Sequence, residues 1–321
     1  MCIRDRPKSA RETLRDRYGD CKDHAVLLVS MLQSVGVSAQ LALVNINQRV
    51  LPELPNIDQF DHMIVSVPAG GRRLYIDPTD KDLRLGTTPP RYMAGNHALV
   101  LGETPELLAI PEFAVGDSGL QVERDIERIE ANQLRVTEVG VFSGYQAADM
   151  RGQLREIESS EMLGTMQRWV ADRYSDAIVD YAFVDMVFDA SGELVVELQY
   201  RLPIDAESFK LPGFFEATFL DYERLPERRF GFEIPAPLTV STVTTVRQSP
   251  ASKLRIASKK PEADESRFGS WRRRIDSSDE GWTLSLEYTS GHDEYGPEDY
   301  SEFTDFHRRL VGSIEQPMVI E

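Results

Sequence analysis

Cysteine is nearly absent from this chain, with 2 in 321 residues, at positions Cys2 and Cys21. A disulfide scaffold is excluded, and so few thiols leave the redox compartment open. Long apolar runs are missing too. No stretch approaches the ~18 consecutive apolar residues a membrane-spanning helix needs, so no integral membrane segment is expected. The G-x-S-x-G, H-E-x-x-H, G-x-G-x-x-G and P-loop signatures do not occur, which removes the chemistries they carry. An excess of positive charge is also lacking. Lys and Arg number 36 against 53 Asp and Glu, a net charge of −17. An acidic surface repels phosphate backbones, so nucleic acid is not an expected partner.

What remains is ordinary globular composition, 41% hydrophobic and 28% charged, in a chain long enough for two domains. Charge is unevenly spread between them. Residues 1 to 110 balance 13 Lys and Arg with 13 Asp and Glu, and the remaining 211 residues carry the whole excess, 23 against 40. The opening string MCIRDR has no signal-peptide pattern. It resembles translated adapter sequence, so Cys2 is expected to be foreign and the native N-terminus to be missing.

Residues 10 to 17 read as the end of a polar helix. A second helix follows from Cys21 to about Val35, with Asp20 as N-cap, Asp23 as the acidic half of a capping box and Gly36 at the stop position. Ala25, Leu28, Val29, Leu32 and Val35 keep helical spacing while Val26, Leu27 and Met31 fill the flanks. That helix is apolar nearly all round and is expected to be buried. Next come a strand over 38–46, the proline-rich loop RVLPELPNIDQ, and the runs FDHMIVSV (60–67) and RRLYIDP (72–78). With PAGG (68–71) between them, these runs predict a hairpin. HALVL (97–101) and ELLAI (106–110) add short strands.

A boundary is expected within 111–119. Beyond it, strand-like alternation is interrupted by two helices, over roughly 155–175 and 297–312. The charged stretch 252–274 reads as a solvated loop or hairpin. The fold class is thus α+β. A helix packed on an antiparallel sheet over 7–112 precedes a mostly antiparallel β domain with two helices over 113–321.

A cysteine at the first turn of an apolar helix sits where unpaired N–H groups and the helix dipole favour a thiolate. A thiolate still needs an imidazole as base and acid, and a group to hold that imidazole. A four-residue PAGG loop would place His62 directly opposite Asp77, close enough to hydrogen-bond, with Met63–Ile76 and Val65–Leu74 as the core face. Cys21, His62 and Asp77 then serve as nucleophile, general base and orienting carboxylate. Taken singly, a cysteine or a histidine on a buried element is more often a core residue.

The segments GDCKDHAVLLVSMLQSVGV, FDHMIVSV and LYIDPTDK resemble the transglutaminase-like superfamily, with Cys at a helix start, His on one strand and Asp on the next. The narrower resemblance is to bacterial proteins in which such a core is flanked by β-rich domains. It covers roughly residues 10–110. It implies a papain- and transglutaminase-like core and a Cys21–His62–Asp77 triad. The implied chemistry is a thioester at Cys21, formed from an amide or peptide bond and resolved by water or an amine. A peptide or protein substrate, no metal or organic cofactor, and a periplasmic or secreted location follow from the same likeness.

The backbone N–H of Cys21 is the expected oxyanion donor, with Tyr18 a second and Asp20 beside it. Asp61 stands where the relatives have Asn, near enough to raise the base's pKa, and His24 stands where they carry Lys. Two other readings remain. C-x-x-H with His62 forms an incomplete zinc set. A catalytically silent binding or scaffolding module of the bacterial envelope would keep the fold and bury Cys21.

Overall fold

The computed structural model describes residues 6–83, 89, 91–185, 192–204, 208–211, 213–217, 225–234, 236–247, 254–256, 261–278, 281–314 and 317–320. Cys2 and part of the charged stretch 252–274 lie outside them. The fold is α+β, and the chain divides into two compact units between Asp117 and Ser118.

The first unit begins with two helices, α1 (Ala10–Asp16) and α2 (Cys21–Ser34). Local chemistry sets their limits. Ser9 and Glu12 form a reciprocal capping box on α1, which ends at Arg17 in the left-handed region with φ 51°. Asp20 accepts from the Lys22 and Asp23 N–H groups, at 3.1 and 3.2 Å, while Asp23 reaches back to the Asp20 N–H at 3.2 Å. Gly36, at φ 82°, stops α2.

Five strands follow: β1 (Gln40–Val44), β2 (His62–Ala69), β3 (Arg72–Ile76), β4 (His97–Leu101) and β5 (Glu106–Ala109). They form one antiparallel sheet in the order β3-β2-β1-β4-β5. Ala25, Leu28, Val29 and Leu32 of α2 pack on Val65, Val67, Leu74 and Ile76 of one sheet face. The other face builds a second core from Ala42, Val44, Ile64, Tyr75, Ala98 and Val100.

Two expectations need correction. First, α2 is not buried all round. Its first three residues and Ala25 are buried, but Met31 and the following Val35 are exposed. A single sheet face covers only one side of a helix. Second, the β2–β3 turn has two residues rather than four. Gly70 and Gly71 both have positive φ, 58° and 82°, the condition a tight type I′ turn imposes. Val65 therefore pairs with Ile76, Val67 with Leu74 and Ala69 with Arg72. The ladder is two residues away from the expected register, so His62 and Asp77 are diagonal rather than directly opposed. A two-residue shift preserves the faces, whereas a one-residue shift would invert them.

The second unit is built on an eight-stranded sheet. Its strands are β6 (Gly119–Glu130), β7 (Gln133–Ser143), β8 (Ile178–Asp185) and β9 (Leu194–Pro203), then β12 (Thr239–Arg247), β14 (Glu262–Ser266), β15 (Gly269–Ser278) and β16 (Gly281–Ser290). Short strands β10 (Ser208–Lys210), β11 (Phe232–Ile234), β13 (Leu254–Ile256), β17 (Asp293–Tyr295) and β18 (Pro317–Ile320) form two small sheets. Pairing is antiparallel except between β6 and β12, which run parallel from Gly119–Thr239 to Glu127–Arg247. β14 and β15 form a hairpin that begins in the charged stretch and runs on to Ser278. It is not solvated throughout, since Phe268, Trp271 and Arg273 are buried.

A helix not read from the sequence, α3 (Gly144–Leu154), precedes α4 (Met162–Arg173), which is the helix expected over 155–175. α3 carries glycine at both 144 and 152, which weakens its intrinsic signal. Burial of Tyr145, Ala147, Arg151 and Leu154 holds it in place. A four-residue turn of helix, α5 (Phe214–Ala217), precedes the last helix, α6 (Tyr300–Ile314). The stripe Tyr300, Phe303, Phe306 and Leu310 of α6 is buried, as its spacing predicts.

One buried polar cluster interrupts this core. Arg124 of β6 meets Glu138 of β7 at 3.0 Å, Thr244 of β12 at 2.9 Å, and Glu216 of α5. Among the described residues no helix is long and apolar enough to cross a membrane.

Candidate active site

The three candidate residues all come from element ends. Cys21 is the first residue of α2. His62 is the first residue of β2, and Asp77 directly follows the last residue of β3. The course of α2 places its start toward the end of the sheet where β2 begins. Ala25 packs near Val65 and Val67, and Gln33 and Gly36, beyond it along the helix, line a cleft with Pro68. The helix therefore runs alongside β2 in the same direction. Its first turn lies toward the end of the sheet where His62 begins. Cys21 shares the sheet-facing side of α2 with Ala25 by helical spacing and is 7% exposed.

His62 and Asp77 are in contact. His62 Nε2 lies 2.8 Å from Asp77 Oδ2, and both side chains are buried. A diagonal pair on one sheet face is within reach of side chains as long as imidazole. The carboxylate is saturated with donors. Thr79 gives Oδ1 its backbone N–H at 2.8 Å and its hydroxyl at 2.7 Å. Tyr92 donates its hydroxyl to Oδ2.

Burial opposes the charge on Asp77, yet the hydrogen bonds from His62, Tyr92 and Thr79 outweigh it and hold the pKa down at about 2. Asp77 is thus ionised at neutral pH and can only accept. The His62 nitrogen bonded to it must carry the proton, which leaves Nδ1 of the neutral ring with a lone pair. Burial of the Tyr92 hydroxyl, and then the neighbouring negative charge of Asp77, push its pKa upward, so it stays a donor.

Sequence reasoning missed Thr79 and Tyr92. Thr79 was legible, because Asp-x-Thr is a side-chain-to-backbone turn in the making. Tyr92 was not, since it arrives from a 3₁₀ turn over Arg91–Met93 with no local link to Asp77.

The remaining candidates have other partners. Asp61 does not face the base: its carboxylate accepts from the Ile46 N–H at 3.0 Å and the Asn47 side chain at 2.6 Å. Asp20 caps α2 and binds the buried Lys22 ammonium. Burial opposes its charge, and the Lys22 and backbone hydrogen bonds lower its pKa. Tyr18 is exposed, with Lys8 Nζ 5.6 Å above its ring. Among the described residues no group of three or more His, Cys, Asp or Glu is arranged to hold a metal ion.

Comparison with known proteins adds a family and a fold. No curated protein matches the chain. Among solved structures, a candidate protease from Parabacteroides distasonis matches with a TM-score of 0.55 at 13% identity. The match covers 97% of this chain and 46% of the other, so this chain spans about half that protein's length. At that identity the likeness is one of fold. Residues 3–70 match the sequence model of the transglutaminase-like superfamily, a span that includes Cys21 and His62 and stops short of Asp77. Residues 3–70 are thereby assigned to the transglutaminase-like superfamily.

Proposed function

We propose that the first unit carries a thiol-dependent centre that cleaves or transfers acyl groups from amide or peptide bonds. Cys21 is the nucleophile, His62 the general base and acid, and Asp77 the carboxylate that orients the ring. The observation that carries this reading is the buried 2.8 Å His62–Asp77 pair, at the end of the sheet toward which α2 begins. A neutral imidazole with its Nε2–H committed to an ionised carboxylate leaves Nδ1 available as base.

The thiol proton passes to His62 Nδ1, and the Cys21 sulfur bonds to the acyl carbon. The developing oxyanion takes a hydrogen bond from the Cys21 backbone N–H at the first position of α2. The carbon–nitrogen bond breaks, and the amine leaves with the proton from His62. Water or a second amine, deprotonated by His62, then attacks the thioester carbon, the carbon–sulfur bond breaks and the thiol is restored. The reading needs no metal or organic cofactor. The protease designation of the structural neighbour is of the same broad class.

A second reading keeps the fold and drops the chemistry: a binding or scaffolding module. The low exposure of Cys21, 7%, favours it, because an enzyme must admit substrate to its nucleophile.

The pH dependence of Cys21 alkylation by iodoacetamide, in wild type and His62→Ala, separates the two. An ordinary thiol titrates near pH ~8.5. Rapid labelling below pH 7 that slows at least about tenfold in His62→Ala is the expected result. Slow labelling with an ordinary profile, unchanged by the substitution, would rule out the triad and leave the binding module.

A further inference from the structure

The loop between β1 and β2 is tied down by side chains yet turns apolar residues outward. Its base closes where Val44 pairs with His62 and the Asp61 N–H donates to the Val44 carbonyl at 3.1 Å. Three amides build its interior. Asn45 Oδ1 accepts from the Asn47 and Gln48 N–H groups at 2.8 and 2.7 Å. Asn96 accepts from the Val50 N–H at 2.8 Å and donates to the Gln48 carbonyl at 3.0 Å. Gln59 accepts from the Leu51 N–H at 2.7 Å and donates to the carbonyls of Leu51 and Leu54. Val50 and Phe60 anchor the loop in a small core with Leu43.

Against that internal order, Ile46 is 41%, Leu51 45%, Leu54 52% and Ile57 57% exposed. The amide of Gln59 spans the backbones of Leu51 and Leu54, and Ile57 opens the 3₁₀ turn that contains Gln59. Three of the four apolar side chains therefore project from one stapled segment. Hydrogen bonding on this scale orders a loop against its conformational entropy, and an ordered loop that leaves several large apolar side chains in water marks a recognition surface.

The geometry points to Leu51, Leu54 and Ile57 as a recognition lip for apolar side chains of an acyl-donor peptide. The inference rests on the acyl-transfer reading above. The occupant follows from continuity with that site, because the strand pair that closes the loop is headed by His62 itself. The three side chains are apolar and select by burial, while the exposed Glu53 and Asp58 among them give the segment negative charge that disfavours acidic peptides. Its three residues are specificity-determining and take no part in the chemistry.

The test compares single-turnover release of p-nitrophenolate from two esters with the same acyl-terminal glycine, N-acetyl-Leu-Leu-Gly and N-acetyl-Gly-Gly-Gly. Wild type is expected to favour the leucine ester by about tenfold or more, the scale apolar contacts allow. In Leu51→Ser/Leu54→Ser/Ile57→Ser, with an unchanged near-ultraviolet circular dichroism spectrum, the ratio should fall to near unity. A wild-type ratio near unity, or one that survives the triple substitution, overturns the lip.

Should neither ester acylate Cys21, the acyl-transfer reading fails by itself. Methyl NMR of the full chain titrated with N-acetyl-Leu-Leu-Gly-amide then decides the lip separately. Shifts centred on Leu51, Leu54 and Ile57 sustain it, and their absence refutes it. Concentration-dependent sedimentation that vanishes in the triple variant would also refute it, by assigning the surface to a second copy of the chain.

Discussion

At the scale of single residues, the site is governed by Asp77. Its four hydrogen bonds take up the acceptor capacity of one carboxylate, so each donor is matched and none can be lost without leaving a buried lone pair exposed to an apolar surrounding. Tyr92→Phe removes the donor that the sequence did not reveal. The expected cost is about 1.5 kcal/mol of stability in urea denaturation. Cys21 alkylation at pH 6 should slow a few-fold, because the imidazole loses part of its anchor.

The linkage has a definite sign. Asp77 titrates at about 2 when folded and ordinarily at 3.8. Its contribution is fully present above pH 3.8 and is lost as pH falls from there toward about 2. Tyr92→Phe raises the lower limit of that window, a shift visible as weaker pH dependence of the unfolding midpoint between those values. An unchanged profile would mean that the tyrosine hydroxyl does not support the carboxylate.

At the scale of elements, the hairpin that carries His62 and Asp77 depends on its turn. Gly70 and Gly71 stand at φ 58° and 82° with open space where a Cβ would be. Only backbone conformation, and no clash, penalises a side chain there. Gly71→Ala is expected to cost about 1 kcal/mol, read from the denaturation midpoint. His62–Asp77 contact should survive, since the register is also fixed by the apolar pairs Val65–Ile76 and Val67–Leu74. Loss of thiol activation without loss of stability would show instead that the turn alone sets the register.

The sequence made this hairpin legible through its alternating runs and its glycines, and it made the faces legible through the parity of apolar residues. The turn length was not legible, because PAGG accommodates either a two-residue or a four-residue loop. The α2 helix teaches the complementary lesson. Its caps, Asp20, Asp23 and Gly36, are local chemistry and were readable. Its burial was not, since that depends on how many neighbours pack around it.

At the scale of the whole molecule, the two units answer acid differently. His307 of α6 is buried among Phe303, Phe306 and Tyr288, with ring centroids 4.5, 5.6 and 6.3 Å away. Burial lowers its pKa from 6.5 to about 4. The unfolded chain therefore binds a proton that the folded chain refuses between those values. Stability of the second unit is full above pH 6.5, falls as pH drops through the window and levels off below about 4, a loss on the order of 3 kcal/mol. The Asp77 window of the first unit opens only below pH 3.8. Calorimetry across pH 7 to 4 should find a transition that moves down in wild type and much less in His307→Leu. A single pH-independent transition would contradict the assignment.

The sequence by itself determined the α+β class, the order of the first unit's elements, the caps of α2, and a Cys, a His and an Asp in the order of the transglutaminase-like superfamily. Each depends on neighbours a few residues apart, where side-chain periodicity and turn chemistry act. Tertiary structure alone decided that Tyr92 shares the Asp77 carboxylate with His62, and that Asp61 turns to the loop rather than the base. It also decided that β6 pairs in parallel with β12, some 120 positions away, and that Arg124 joins Glu138 and Glu216 in the core of the second unit. These contacts join residues that chain periodicity leaves uncorrelated, and only the packing of sheets brings them within hydrogen-bonding distance.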